Sequence, residues 1–341
     1  MIKVNGRFIH NRITGVEKYA HEVTSRLKNT SLICPENKLS GIKGHMWEQL
    51  FLPYYAKDSI LWSPCNTGPI TFKKHIVTIH DISPIDHPEW MNNLYVSWYR
   101  YLIPKLIKSS IKIITDSNFS KSRILSVVKI NEDKVKVIPL AANRKFKVIN
   151  YDKILSTLNK YFLSKYRYIL SVSSIEPRKN IARLIKSWNK IEDKLDDDIR
   201  LILVGPVGPK RIFKQPHTNN YSDKIIFTGY LPEEDLIHIY NGAMAFIYPS
   251  LYEGFGLPPL EAMQCGTPVI TSEIPSISEV VGDSCITVNP FRINEISDAI
   301  ISICNDYKLR KELSIKGLHR SKIFTWERTS QEILNTIKNT Y

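Results

Sequence analysis

The chain has 341 residues, 43% of them hydrophobic, and a formal charge of +14. That length gives room for two domains of ordinary size, and the composition is that of a folded protein, so a disordered chain is excluded. No apolar run reaches bilayer length, and the N-terminus, Met1-Ile-Lys-Val-Asn-Gly-Arg7, lacks the apolar core of a signal peptide, so a cytoplasmic protein is expected.

In chain order, short β-rich runs alternate with segments of helical period, the pattern of parallel sheets wrapped by helices. The first series of strands is predicted at Ile2-Lys-Val, Ile60-Leu-Trp, His75 to His80, Ile111 to Thr115 and Val135 to Ile138. Leu140 to Lys165 is polar and helix-prone, a connector. A second series follows at Tyr168 to Val172, Arg200 to Val204, Lys224 to Thr228, Ala245 to Tyr248, Pro268 to Thr271 and Ser284 to Val288. A last helix begins at Thr325, with a start resembling a capping box. The fold class is therefore α/β, with two doubly wound, Rossmann-like domains facing a central cleft. Ligands of such sheets bind outside the carboxyl ends of the strands. The five cysteines (Cys34, Cys65, Cys265, Cys285 and Cys304) are odd in number and form no C-x-x-C pair, which argues against a disulfide framework and a structural zinc site.

Chemistry concentrates after the strands of the second series. Glu253-Gly-Phe-Gly-Leu-Pro-Pro-Leu-Glu261 follows a strand and feeds a helix, so its glycines expose amides at a helix start that favours an anion. Carboxylates accept from sugar hydroxyls, so one acid of the pair is suited to a ribose and the other to a hexose of a nucleotide sugar. In Ser173-Ser-Ile-Glu-Pro-Arg-Lys-Asn180, adjacent Arg178 and Lys179 precede a helix and are suited to a diphosphate, the arginine as a fork and the lysine as a point charge. A solvated basic cap is the structural alternative. Tyr230 and Leu231, in Thr228-Gly-Tyr-Leu-Pro, lie in a strand-to-helix loop suited to cradling a base; a plain Pro-started helix is the structural alternative.

The first series offers less. Gly15, in Arg12-Ile-Thr-Gly-Val-Glu-Lys-Tyr19, opens a helix and brings amides toward a phosphate, or makes an ordinary tight turn. His80 and Asp81 stand at a strand's carboxyl end, where a histidine is either structural or placed for function. Asp196 and Asp198 have a spacing used for divalent metals, but they lie in an acidic loop, and with Arg178 and Lys179 available no metal is required. Residues 1–145 hold 22 Lys and Arg against 11 Asp and Glu, so most of the excess charge lies in that half. Within it, Tyr95 to Lys112 mixes aromatic, aliphatic and basic residues. An interfacial segment on anionic lipid has that mixture, and so does a core-packing helix with a solvated basic edge. No nucleic-acid reading motif accompanies the charge, so nucleic acid is not an expected partner.

Together these residues resemble the family 4 retaining glycosyltransferases of the GT-B fold over nearly the whole chain. The matching segments are ITGVEKYAHEV, WEQLFLP, VTIHDISP, ITDSNFSKSRIL, VKVIPLA, SVSSIEPRKNIARLI, IIFTGYLPEEDL, IYPSLYEGFGLPPLEAMQCGTPVI and ISEVVGDSCITVNP. The resemblance implies an acceptor-binding domain over residues 1–150, a nucleotide-sugar domain over 151–325, and a helix from about 326 to 341 crossing back to the first. It implies Arg178 and Lys179 on the diphosphate, Glu261 on the ribose, Glu253 beside the donor sugar, and the amides of Gly254, Phe255 and Gly256 on the donor. It places Gly15 in an N-terminal phosphate loop and His80 near the transferred sugar. Asp81 is an acceptor-binding candidate. Two departures are Lys3-Val-Asn-Gly-Arg7, where relatives often carry an acidic residue before the arginine, and Ser173-Ser174 in place of a small-Gly pair.

The expected activity is retaining, metal-independent transfer of a hexose, first mannose from GDP-mannose, with no cofactor. The acceptor is a saccharide or a polyprenyl-diphosphate-linked saccharide in cell-surface polysaccharide assembly such as O-antigen. An anionic membrane surface is an optional partner, which would make the protein peripheral on the inner face of the plasma membrane. A sugar-nucleotide epimerase of the same architecture and a non-catalytic nucleotide-sugar-binding protein are the alternatives. A nicotinamide oxidoreductase is disfavoured, because Gly254-Phe-Gly256 never completes a dinucleotide fingerprint.

Overall fold

The computed structural model describes residues 2–11, 13–206, 212 and 222–340; Arg12 of the glycine turn lies outside them. The chain divides into two compact units, one of Met1–Pro88, Asn93–Ala141 and Phe324–Tyr341, the other of Glu89–Asn92 and Ala142–Ile323.

The first unit carries β1 (Ile2–Asn5), α1 (Gly15–Thr24), β2 (Thr30–Ile33), α2 (Gly41–Ala56), β3 (Ile60–Ser63), β4 (His75–Thr78), α3 (Ser83–Asp86), α4 (Asn93–Ser109), β5 (Lys112–Thr115), α5 (Asn118–Val127) and β6 (Val135–Val137). Its six strands are all parallel, in the order β2-β1-β3-β4-β5-β6. The second carries α6 (Tyr151–Lys160), β7 (Arg167–Val172), α7 (Ile181–Asn189), β8 (Ile199–Val204), β9 (Ile225–Gly229), α8 (Glu233–Gly242), β10 (Ala245–Tyr248), α9 (Leu257–Gln264), β11 (Val269–Ser272), α10 (Pro275–Val281), β12 (Cys285–Val288), α11 (Ile293–Asn305) and α12 (Tyr307–Ser321). Its strand order is β12-β11-β10-β7-β8-β9, again all parallel.

Helices cover both faces of such sheets, so central strands read as continuous apolar runs rather than alternating ones. Ile169 and Leu170 of β7, like Ala245 to Ile247 of β10, are fully buried for this reason. The order reverses between β1 and β3 in the first sheet and between β7 and β10 in the second. Each reversal opens a crevice at the strands' carboxyl ends.

Two local outcomes differ from the sequence expectation, β2 and the cap of the last helix. β2, Thr-Ser-Leu-Ile, was not expected; it is a half-polar edge strand that pairs with β1 alone, so no buried run marks it. α4 runs straight through Pro104. A proline inside a helix costs about 3 kcal/mol, whereas burying Leu102, Ile103, Leu106 and Ile107 stabilises by about 1.5–3 kcal/mol each, so packing wins. Those side chains make most of α4's apolar surface core, with Lys105 and Lys108 on its exposed edge.

The last helix, α13 (Trp326–Lys338), belongs to the first unit. Its Thr329 Oγ1 donates to the Pro139 carbonyl (2.8 Å), and its buried Trp326 packs 6.2 Å from the Tyr19 ring. Thr325 caps its start by accepting from the Arg328 amide, but the third position is this arginine rather than Glu or Gln, so the capping box is one-sided.

Candidate functional site

The reversal point of the second sheet gathers the charged residues picked out after β7 and β10. β7 ends at Val172, and its loop reaches a short 3-10 turn, Pro177–Lys179, before Asn180 (φ 61°) redirects the chain into α7. Asn180 Nδ2 donates to the carbonyls of Pro249 (3.0 Å) and Pro290 (2.7 Å), and the Leu251 amide donates to the Arg178 carbonyl (2.7 Å). These bonds stitch the loop after β7 to the loop after β10, so two segments distant in sequence share one floor.

On that floor Lys179 Nζ lies 2.5 Å from Glu253 Oε1, and Arg178 Nη1 lies 3.0 Å from Glu253 Oε2. Two further groups complete the cluster. Tyr248 Oη, at the end of β10, accepts from Lys179 and donates to Glu253 (2.9 Å), while Glu176 Oε1 lies 2.5 Å from Arg178 Nε. Two cations thus face two carboxylates, all but Arg178 nearly fully buried. Burial pushes the Glu253 carboxyl up, but Lys179 and Arg178 outweigh it and hold its pKa down to about 2. For Lys179, burial and then the Arg178 charge lower the pKa, opposed by Glu253 and Glu176. Tyr248 is pushed up, by burial first and then by Glu253, so its hydroxyl keeps its proton.

Beyond Glu253 the chain passes through Gly254 and Phe255 to Gly256, which stands at φ 116° as the cap of α9. Side chains rarely adopt that conformation, and a Cβ there would also lie 3.3 Å from Ile277. Ser276 Oγ donates to the Glu253 carbonyl (2.6 Å) and fixes the turn. Glu261 is buried on α9, 3.4 Å from Tyr240 Oη. Tyr230 is exposed and Leu231 buried in the loop between β9 and α8, which turns at Gly229 (φ 70°).

The remaining candidates lie in the first unit. His80 follows β4 and is buried under the Tyr19 ring, 4.7 Å away and perpendicular. Its Nδ1 lies 2.7 Å from Asp116 Oδ2 and its Nε2 3.0 Å from the Pro64 carbonyl. A carbonyl only accepts, so Nε2 carries hydrogen; the contact to Asp116 then holds one more proton, and the pair is neutral overall. Burial lowers the His80 pKa, but Asp116 more than restores it, leaving it raised. Both ring nitrogens are therefore engaged within the protein. Asp81 Oδ1 accepts from the Ser83 amide (2.9 Å) and so supports the start of α3. Gly15 opens α1, where Glu17 caps the helix by accepting from the Thr14 amide (3.2 Å) and from its hydroxyl.

The first sheet's own reversal point holds a cluster that sequence reading passed over. Asn5 Nδ2, at the end of β1, donates to Glu48 Oε1 (2.9 Å); Thr67 Oγ1 donates to the same oxygen (2.8 Å), and Arg7 Nη1 donates to Glu48 Oε2 (2.6 Å). Glu48 is 1% exposed, and Arg7 and then His45 keep its pKa low against burial. This acid arrives from α2 and meets Arg7 just after the end of β1. Glu176, Tyr248 and Asp116 were also overlooked. Glu176 lies two residues before Arg178, and Asp116 follows β5 as His80 follows neighbouring β4. Asp196 and Asp198 both pair with Arg167 (2.7 and 2.6 Å), which accounts for that acidic spacing.

A family model described as glycosyl transferases group 1 matches residues 158–320. The chain is 32% identical over 284 residues to O-antigen chain mannosyltransferase B of Escherichia coli, covering 83% of this chain and 74% of that one. It is 35% identical over 224 residues to a serotype-specific mannosyltransferase WbdA of Escherichia coli, covering 64% of this chain but only 27% of that longer protein. Anabaena HepE, solved in complex with UDP and glucose, matches 99% of this chain and 98% of its own at a TM-score of 0.78 and 14% identity, a likeness of fold. Two parallel six-stranded sheets with flanking helices are the GT-B glycosyltransferase fold, as the sequence led one to expect.

Proposed function

The chain belongs to the group 1 glycosyl transferases, and from that premise we propose that it transfers mannose from GDP-mannose, with retention and without a metal, to a saccharide or lipid-linked saccharide in cell-surface polysaccharide assembly. The observation that carries this reading is the buried convergence of Arg178 and Lys179 on Glu253 where β7 and β10 part. The choice of mannose rests on the two Escherichia coli mannosyltransferases it resembles.

Breaking a glycosyl-phosphate bond develops negative charge on the departing diphosphate. Fixed cations and amides in a site shielded from water stabilise that charge without having to reorganise. Arg178, Lys179 and the amides of Gly254, Phe255 and Gly256 take this role. When the donor arrives, the two cations are shared between its diphosphate and Glu253, and that carboxylate orients the hexose and its developing positive charge. Glu261 holds the ribose, Tyr230 and Leu231 the base. In this reading Gly15 serves the phosphate and Asp81 the acceptor. His80, with both nitrogens engaged, acts as a fixed polar group beside the sugar rather than as a proton acceptor. The leaving phosphate itself takes the acceptor proton, so no protein base is required.

Incubation with GDP-mannose and an oligomannose acceptor in the presence of a chelator, followed by proton NMR of the product, tests this reading. A new α-mannosidic linkage supports it. A β-linkage refutes retention, loss of turnover with the chelator refutes metal independence, and isomerised donor without acceptor indicates an epimerase.

A further inference from the structure

α2 carries apolar residues on both its packed and its outer side. Trp47, Leu52 and Ala56 are buried with Leu61, and Glu48 turns inward to Asn5, Arg7 and Thr67. The outer side exposes Ile42, Met46, Leu50 and Tyr54, spaced by four residues so that they run as one stripe along the helix, with Phe51 and Tyr55 beside it. Leu50 is 61% exposed, Tyr54 70% and Ile42 79%. A globular helix ordinarily turns polar residues to water at such positions.

The exposed charges on this helix and its cap are basic, and the exposed acids lie past its ends. The exposed charged residues on α2 and at its C-terminal cap are Lys43 and Lys57, while its single acid, Glu48, is buried. Lys73 and Lys74 lie by the C-terminal end, since Phe72 packs against the Trp47 cluster and Lys74 Nζ donates to the Asp58 carbonyl (3.2 Å). At the other end, the His45 ring lies 4.9 Å from Trp98 of α4; Trp98 stacks on Tyr101, whose ring carries Lys105 Nζ at 3.7 Å. Glu36 and Asp58 lie beyond the two helix ends.

From this arrangement we infer that the outer face of α2, continued by Trp98, Tyr101 and Lys105 of α4, docks on an anionic lipid bilayer. Aliphatic side chains enter the acyl boundary, tyrosine and tryptophan suit the interface, and a lysine rim meets anionic headgroups. No helix of the described residues is long and apolar enough to cross a membrane, so contact at this face is interfacial. A symmetric contact with a second copy would bring two lysine rims together and is disfavoured. The inference goes beyond the proposed reaction.

Co-sedimentation of the full chain with vesicles of phosphatidylcholine alone, or mixed equally with phosphatidylglycerol, tests it without donor or acceptor. A failure here is therefore separate from any failure of the transfer reading. Wild type is expected to bind the anionic vesicles and to be released by salt. Leu50→Glu/Tyr54→Glu and Ile42→Ser/Met46→Ser, both on exposed positions and checked for an unchanged melting temperature, should each weaken partitioning by about tenfold or more. Three results would overturn the inference: wild type left in the supernatant, equal binding to neutral vesicles, or variants that bind like wild type. Lipid-free sedimentation equilibrium showing a dimer that these variants abolish would instead assign the face to a second copy.

Discussion

Replacing Glu253 by Gln removes one negative charge from a buried cluster while keeping side-chain size and an acceptor for Tyr248 and Lys179. The native carboxyl titrates at about 2 against an ordinary 4.5. That depression corresponds to roughly 3 kcal/mol of folding free energy at neutral pH, since one pKa unit is about 1.4 kcal/mol. For a depressed acid the stabilisation is complete above the ordinary pKa, and it is lost as pH falls from 4.5 toward about 2. Without the acid, Glu176 remains beside Arg178, and a buried positive charge that is less fully balanced adds to the loss. Differential scanning calorimetry at neutral pH should therefore place the second unit's transition about 6–12 °C lower in Glu253→Gln, at roughly 2–4 °C per kcal/mol for a domain of that size. The gap should shrink as pH is lowered from about 5 to about 3, where the unfolded chain's carboxyl takes up a proton that the native one still resists. Added GDP should raise the variant's transition more than that of wild type, because its diphosphate restores the missing negative charge. A variant that melts with wild type at neutral pH, with no gap to close in acid, refutes the claim that this acid balances the two cations.

Lys179→Met removes the point charge that the proposed mechanism aims at the leaving diphosphate, and turnover should fall by about 100- to 1000-fold; steady-state kinetics would read this, and an unchanged kcat contradicts the role. Asp116→Asn takes away the carboxylate that raises His80. The stabilisation of a raised histidine is present below its ordinary pKa and lost as pH rises through the folded value, so the variant's melting deficit should be larger in mild acid than in mild base. A deficit independent of pH argues against it. Gly205 stands at φ 136°, and a Cβ there would run into the Ser173 carbonyl. Gly205→Ala should cost about 2 kcal/mol or more in chemical denaturation, and a neutral result would contradict the close approach of the loops after β7 and β8.

The strands of the second unit were legible because burial on both faces leaves unbroken apolar runs, such as Ala245-Phe-Ile-Tyr. The edge strand β2 was not, since its exposed Leu32 and flanking polar residues carry no such mark. The residue types of the candidate site were legible too: a cation pair ahead of a helix and an acid ahead of a glycine turn. Their mutual pairing was hidden, because Lys179 and Glu253 lie 74 residues apart and meet only through the neighbouring of β7 and β10, which are not consecutive strands. The Asn5, Arg7 and Glu48 cluster was concealed in the same way, since only the packing of α2 across the sheet brings Glu48 to the end of β1. His80 was visible as a residue at a strand end, but its partner required the pairing of β4 with β5.

Isothermal titration of GDP and of guanosine against wild type and Lys179→Met tests most directly whether the basic pair of the second unit grips a diphosphate. The account predicts that wild type binds GDP far more tightly than guanosine, and that this difference collapses in the variant while guanosine affinity is retained. Equal affinity of the two proteins for GDP would contradict it.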